Sequence, residues 1–109
     1  MCTLAGAVDL QLLADENPPL SFSDNGQLKG LAVEVVQEIQ RRVGNTNPIE
    51  IQPWPRAYRA ASTEPNVGIF AMARTPAREE LFQWVGPVSA SRASLYGKRG
   101  AGIRISSLE

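Results

Sequence analysis

The segment from Gly30 to Val43 constrains the fold more than any other part of the chain. Its apolar residues Ala32, Val35, Val36, Ile39 and Val43 fall at i, i+3, i+4, i+7 and i+11, the period of an amphipathic helix. Glu38, Gln40, Arg41 and Arg42 lie largely off that stripe. Gly44-Asn45 supplies a C-terminal stop, and Arg41 and Arg42 complement the helix dipole in the last turn. Valine lowers intrinsic helix propensity because branching at Cβ restricts its rotamers, so a helix of this composition must lean on a sheet.

That sheet is legible in the short apolar segments on either side. Residues 8–14 (VDLQLLA) read as a first strand, ended by Asp15-Glu16-Asn17-Pro18-Pro19, since paired prolines cannot continue a ladder. Residues 20–23 form a short extended piece, and Asp24-Asn25-Gly26 is a turn signal tolerant of positive φ. Residues 49–52 (IEIQ) alternate and read as a second strand. Pro53-Trp54-Pro55 breaks it, and Pro55 opens a helix that runs through Ala61. Residues 67–72 (VGIFAM) read as a buried strand and 93–98 as another short one; 103–105 begin a segment the chain does not finish. The order β-α-β-α-β-α-β predicts an α/β fold, a mostly parallel sheet flanked by helices with right-handed crossovers. Ligands of such sheets bind beyond the carboxyl ends of the strands, here the loops 15–19, 53–56 and 74–78.

The third loop, Arg74-Thr75-Pro76-Ala77-Arg78-Glu79-Glu80, carries the most chemistry. Thr75 offers an N-cap hydroxyl, Pro76 suits the first helical position, and Glu79 and Glu80 are favoured early in a helix. A helix start beside two guanidinium groups is the recipe for a carboxylate or phosphate site; the plainer alternative is two solvated surface arginines.

Composition narrows the function by exclusion. Eleven basic residues balance eleven acidic ones, so no electrostatic footprint for nucleic acid exists. With no histidine and a single cysteine, Cys2, there is no Cys/His zinc site, no Ser-His or Cys-His catalytic pair and no disulfide within one chain. No cofactor is implied, and no apolar run is long enough to span a bilayer. Ala5-Gly6-Ala7 fits the small-x-small pattern before a signal-peptidase cut, so residues 1–7 are either a signal-peptide remnant or a short tail. Leu108-Glu109 is either native or appended.

Motif order then resembles a known family. Glu16-Asn17-Pro18-Pro19-Leu20-Ser21-Phe22, Gly26-Gln27-Leu28-Lys29-Gly30-Leu31-Ala32-Val33-Glu34-Val35, Thr75-Pro76-Ala77-Arg78 and Phe82-Gln83-Trp84-Val85-Gly86-Pro87 occur in unbroken order. Each is common alone, but together they resemble the first lobe of bacterial periplasmic solute-binding proteins of the amino-acid-binding type, extracellular solute-binding family 3. Trp54-Pro55-Arg56-Ala57 together with Arg74-Thr75-Pro76-Ala77-Arg78-Glu79 is similar to one bacterial subgroup of it. The resemblance implies a lobe of a type II (Venus-flytrap) clamp over residues 8–102, with 103–109 starting the crossover to a second lobe or ending the chain. It implies a non-enzymatic, exported, periplasmic binding module for amino acids or similar small carboxylate solutes, with ABC transporter membrane subunits as partners. The alternative is the extracellular input domain of a membrane signalling receptor. An enzyme on this chain would have to use a carboxylate such as Glu16 or Glu34.

By the same resemblance, Arg78 grips the ligand carboxylate and Trp54 flanks the ligand side chain, although a tryptophan at a strand end also packs simply as core. The full expected ligand set is Arg78, Trp54, Arg74, Thr75, Asn17, Glu16 and Met72, with Glu16 as a candidate ammonium partner or a plain loop carboxylate. The chain departs from the family pattern at Asn17, where an aromatic is usual, and at Ala71 and Ala73, where small hydroxyl residues are usual. Arg74 adds a charge beside the site, and these departures widen the expected ligand to a smaller or more anionic one. A single lobe presents one wall of the pocket, so weak binding and self-association are expected.

Overall fold

The computed structural model describes residues 9–107; Cys2, the Ala5-Gly6-Ala7 signal and Leu108-Glu109 lie outside them. Seven elements follow in order: β1 (Gln11–Ala14), β2 (Phe22–Asp24), β3 (Gln27–Lys29), α1 (Leu31–Val43), β4 (Ile49–Ile51), α2 (Trp54–Thr63) and β5 (Val67–Ile69). β1 is the central strand of a three-stranded parallel sheet ordered β4-β1-β5, with Leu12 opposite Ile49 on one side and Gly68 on the other. Alternation along β1 divides its side chains between two layers. Ala14 joins Ala32, Val33 and Val36 of α1 and Phe70 in the core cluster. Leu13, 1% exposed, faces the α2 layer that also buries Ala57. The chain is thus α/β, with a parallel sheet flanked by helices, as its alternating segments predict.

The junction leading into α1 explains why a helix starts without a capping side chain. Gly30 is the N-cap and offers no side-chain bond. The orphan N–H groups of the first turn are met by backbone instead: Leu31 donates to the Pro19 carbonyl at 3.1 Å and Ala32 to the Leu20 carbonyl at 2.9 Å. Gly30 has φ 128°, and a Cβ there would lie 2.2 Å from the Leu20 carbonyl oxygen. Only glycine fits. The extended piece and turn signal resolve into a hairpin of β2 and β3 closed by Asn25 (φ 52°) and Gly26 (φ 78°), the pair of positive φ values that a two-residue hairpin turn requires.

Four expectations change. The helix α1 buries Ala32, Val33, Val36 and Gln40, while Ile39 and Val43 on the expected stripe are 46% and 70% exposed. Gln40 turns inward because its amide donates to Asn45 Oδ1 at 2.9 Å and to the Asn47 carbonyl at 2.7 Å, tying the helix end to the approach into β4. The third parallel strand stops at Ile69, since Ala71 takes φ 61° and turns the chain out of the ladder. No α-helix follows Thr75; residues 76–80 are consecutive turns closed by i→i−3 bonds such as Arg78 N to Thr75 O at 3.0 Å. Finally, residues 93–98 form no strand: every residue from 89 to 107 is exposed, and Val88 is the last described residue packed on the core. The Cα radius of gyration, 17.4 Å, reflects this extended segment, as a packed domain of such length has about 13 Å.

Candidate functional site

Because β4, β1 and β5 are parallel, their last residues Ile51, Ala14 and Ile69 lie along one edge of the sheet. The loops leaving that edge carry all the residues expected to touch a ligand. In the first loop Asn17 and Ser21 bridge through their backbones, and Glu16 Oε1 accepts from Ser23 N at 2.9 Å. The Ser21 hydroxyl donates to the Asp15 carbonyl at 2.8 Å. Asp15 Oδ1 is buried and bonds no protein atom. Asn17 bonds within its own loop, and Glu16 reaches only to Ser23 of the adjoining β2.

The second and third loops meet through aromatic and cationic contacts. Trp54 is the first residue of α2, with Pro55 in the helix's opening positions, where its absent N–H leaves nothing unpaired. Tyr58, one turn on, has its ring centroid 5.9 Å from that of Trp54. The Arg78 guanidinium lies 5.7 Å from the Trp54 centroid and 5.4 Å from that of Tyr58. Its Nη1 donates to the Ala73 carbonyl at 3.2 Å. Among the described residues no carboxylate pairs with Arg78, so most of its N–H groups remain open to an incoming anion.

Arg74 has a different fate. Its Nε and Nη2 donate to the two oxygens of Glu79 at 2.7 and 2.5 Å, a bidentate fork, and its guanidinium lies 5.4 Å from the Trp84 centroid. The charge expected to stand free beside the site is therefore committed. That hydrogen bond holds the Glu79 carboxyl below the ordinary glutamate range and pushes Arg74 above its own ordinary value. The Trp84 indole N–H donates to the Glu79 carbonyl at 3.2 Å, closing the turn on itself. Phe82 then bridges Trp84 (6.0 Å) and Tyr58 (5.5 Å), so that Trp54, Tyr58, Phe82 and Trp84 form a continuous ladder. Thr75 and Met72, both half-buried, belong to the same segment; the Thr75 carbonyl rather than its hydroxyl secures the turn.

Sequence reasoning missed Tyr58, Phe82 and the Arg74–Glu79 fork. The i, i+4 spacing of Trp54 and Tyr58 within a helix was the available signal. Phe82 gave none, because its contact with Tyr58 crosses two loops. Among the described residues no group of three or more His, Cys, Asp or Glu is placed to hold a metal. A half-buried guanidinium resting on two aromatic faces at the carboxyl edge of a parallel sheet is suited to hold a carboxylate by a charged, bidentate contact.

In α/β sheets ligands are held at an edge of this kind, and sequence comparison supplies the family. The family described as bacterial extracellular solute-binding proteins, family 3, matches residues 10–105, and the chain belongs to it. No curated protein and no solved structure matches the chain. Among the described residues no helix is long and apolar enough to cross a membrane.

Proposed function

We propose that this chain supplies a wall of an extracytoplasmic binding site for amino acids or similar small carboxylate solutes, delivered in the periplasm to the membrane subunits of an ABC transporter. One observation carries the reading: Arg78 is held on Trp54 and Tyr58 at the sheet's carboxyl edge without a carboxylate of its own. Trp54 then flanks the bound solute, and Glu16, which already accepts from Ser23, has one carboxylate oxygen left for a solute ammonium. Thr75, Met72 and Asn17 complete the proposed contact set.

The test is a ligand titration of the ¹⁵N-labelled chain followed by amide and indole chemical shifts, with Arg78→Ala as control. A charged hydrogen bond contributes about 1.5–3 kcal/mol, so the variant should lose roughly ten- to a hundredfold in affinity. A solute bound equally well by wild type and Arg78→Ala overturns the reading. The exposed apolar residues Leu81, Val85, Leu95, Tyr96 and Ile103 favour self-association, which a sizing measurement over a concentration series would register.

A further inference from the structure

The two arginines of the turn are not equivalent, and their difference bears on which solutes the edge accepts. Arg78 rests on Trp54 and Tyr58 with open N–H groups, at one end of the aromatic ladder. Arg74 sits at the other end, over Trp84, with both arms of its fork occupied by Glu79. Glu79 is held in turn through its carbonyl, which accepts the Trp84 indole N–H. The carboxylate is thus fixed where it neutralises Arg74, and the turn presents one uncommitted cation instead of two.

We infer that Glu79 is a specificity-determining residue that makes this site select solutes with a single carboxylate over those with two. The inference rests on the proposed carboxylate site at Arg78. A second carboxylate arriving beside the turn finds Arg74 already paired with Glu79, so its desolvation goes uncompensated there. Without Glu79, Arg74 is released as a second anchor, and the preference turns toward dicarboxylates.

L-glutamine and L-glutamate are suitable probes, since they match in size and differ by one charge. Each is titrated into the labelled chain at neutral pH and equal ionic strength, and the ratio of the two dissociation constants is compared among variants. Wild type should favour glutamine. Glu79→Gln should move the ratio toward glutamate by about fivefold, the size expected of one added charge contact near a surface. Arg74→Ala, which leaves the Glu79 carboxylate bare, should move it the opposite way, and Glu79→Gln/Arg74→Ala should return it to the wild-type value. A ratio unchanged in Glu79→Gln overturns the inference, as does an equal loss of both ligands in Arg74→Ala, which would make Arg74 a direct ligand contact. If Arg78→Ala abolishes binding while the ratio stays unmoved by Glu79→Gln, the carboxylate site stands and only the charge selection falls. If Arg78→Ala changes neither affinity, both fall together.

Discussion

The junction before α1 and the turn after β5 both redirect the chain at the sheet's edge, but they are closed by different forces. At the first, backbone carbonyls of Pro19 and Leu20 satisfy the helix start and Gly30 leaves no room for a side chain. At the second, short i→i−3 bonds are supplemented by side chains: the Arg74–Glu79 fork, Arg78 on its rings, and the Trp84 indole on Glu79. Backbone closure that involves no charged group is insensitive to salt and pH. Closure by exposed charges is not, and the turn that carries the candidate ligand contacts is the adjustable one.

Substitution of Gly30 should have the largest effect. Gly30→Ala forces a Cβ against the Leu20 carbonyl at a φ that alanine rarely adopts, so a loss of about 3 kcal/mol or more is expected in chemical denaturation. Were Gly30→Ala to unfold at the wild-type midpoint, the tightness of this junction would be refuted. Tyr58→Ala should separate stability from binding. It removes one face beneath Arg78 and the link to Phe82, so carboxylate affinity should fall about three- to fivefold, in line with a cation–π contact worth ~0.5–1 kcal/mol. The amide shifts of α1 should stay in place; their movement would show the two regions to be coupled.

Acidification should give a smaller and reversible change. Glu79 is held below the ordinary glutamate range by Arg74, so the fork's contribution is complete above that range and is lost as the pH falls through the lowered value. Trp84 fluorescence should report the loss, while the hydrogen bonds at Gly30, which involve no titrating group, should persist in amide exchange. A Trp84 signal flat down to the acid unfolding transition would show that the fork does not hold the turn.

How much of this was legible in sequence follows the same division. The α1 period, the proline-broken loops and the alternation of segments led to the parallel sheet and to the edge where its loops gather, because those signals are local and backbone-driven. The face α1 buries was misjudged: Gln40 is drawn inward by Asn45 and Asn47, partners beyond the helix. The arginine turn carried the cap, proline and glutamate signals of a helix, yet so short a run depends on tertiary packing. Here Phe82 and Trp84 are taken up by the ladder to Tyr58, and the chain leaves helical geometry to reach it. Arg74 reads as a free charge in the sequence because Glu79 reads as a first-turn helix carboxylate favoured by the dipole, not as a partner for Arg74.

Ala71 has a consequence of its own for anyone redesigning this edge. Read as a sequence, it is a hydroxyl lost from a ligand site; in the fold its φ of 61° is what swings the arginine turn away from β5. A left-handed backbone costs a residue bearing a Cβ about 1 kcal/mol relative to glycine and more when the side chain is branched. Ala71→Gly should therefore be neutral or slightly stabilising in a thermal melt, whereas Ala71→Thr, the seemingly natural way to restore a hydroxyl, should be disruptive. Ligand chemistry at that position is subordinate to the bend, and a designer wanting a new donor there would do better to introduce it at Ala73.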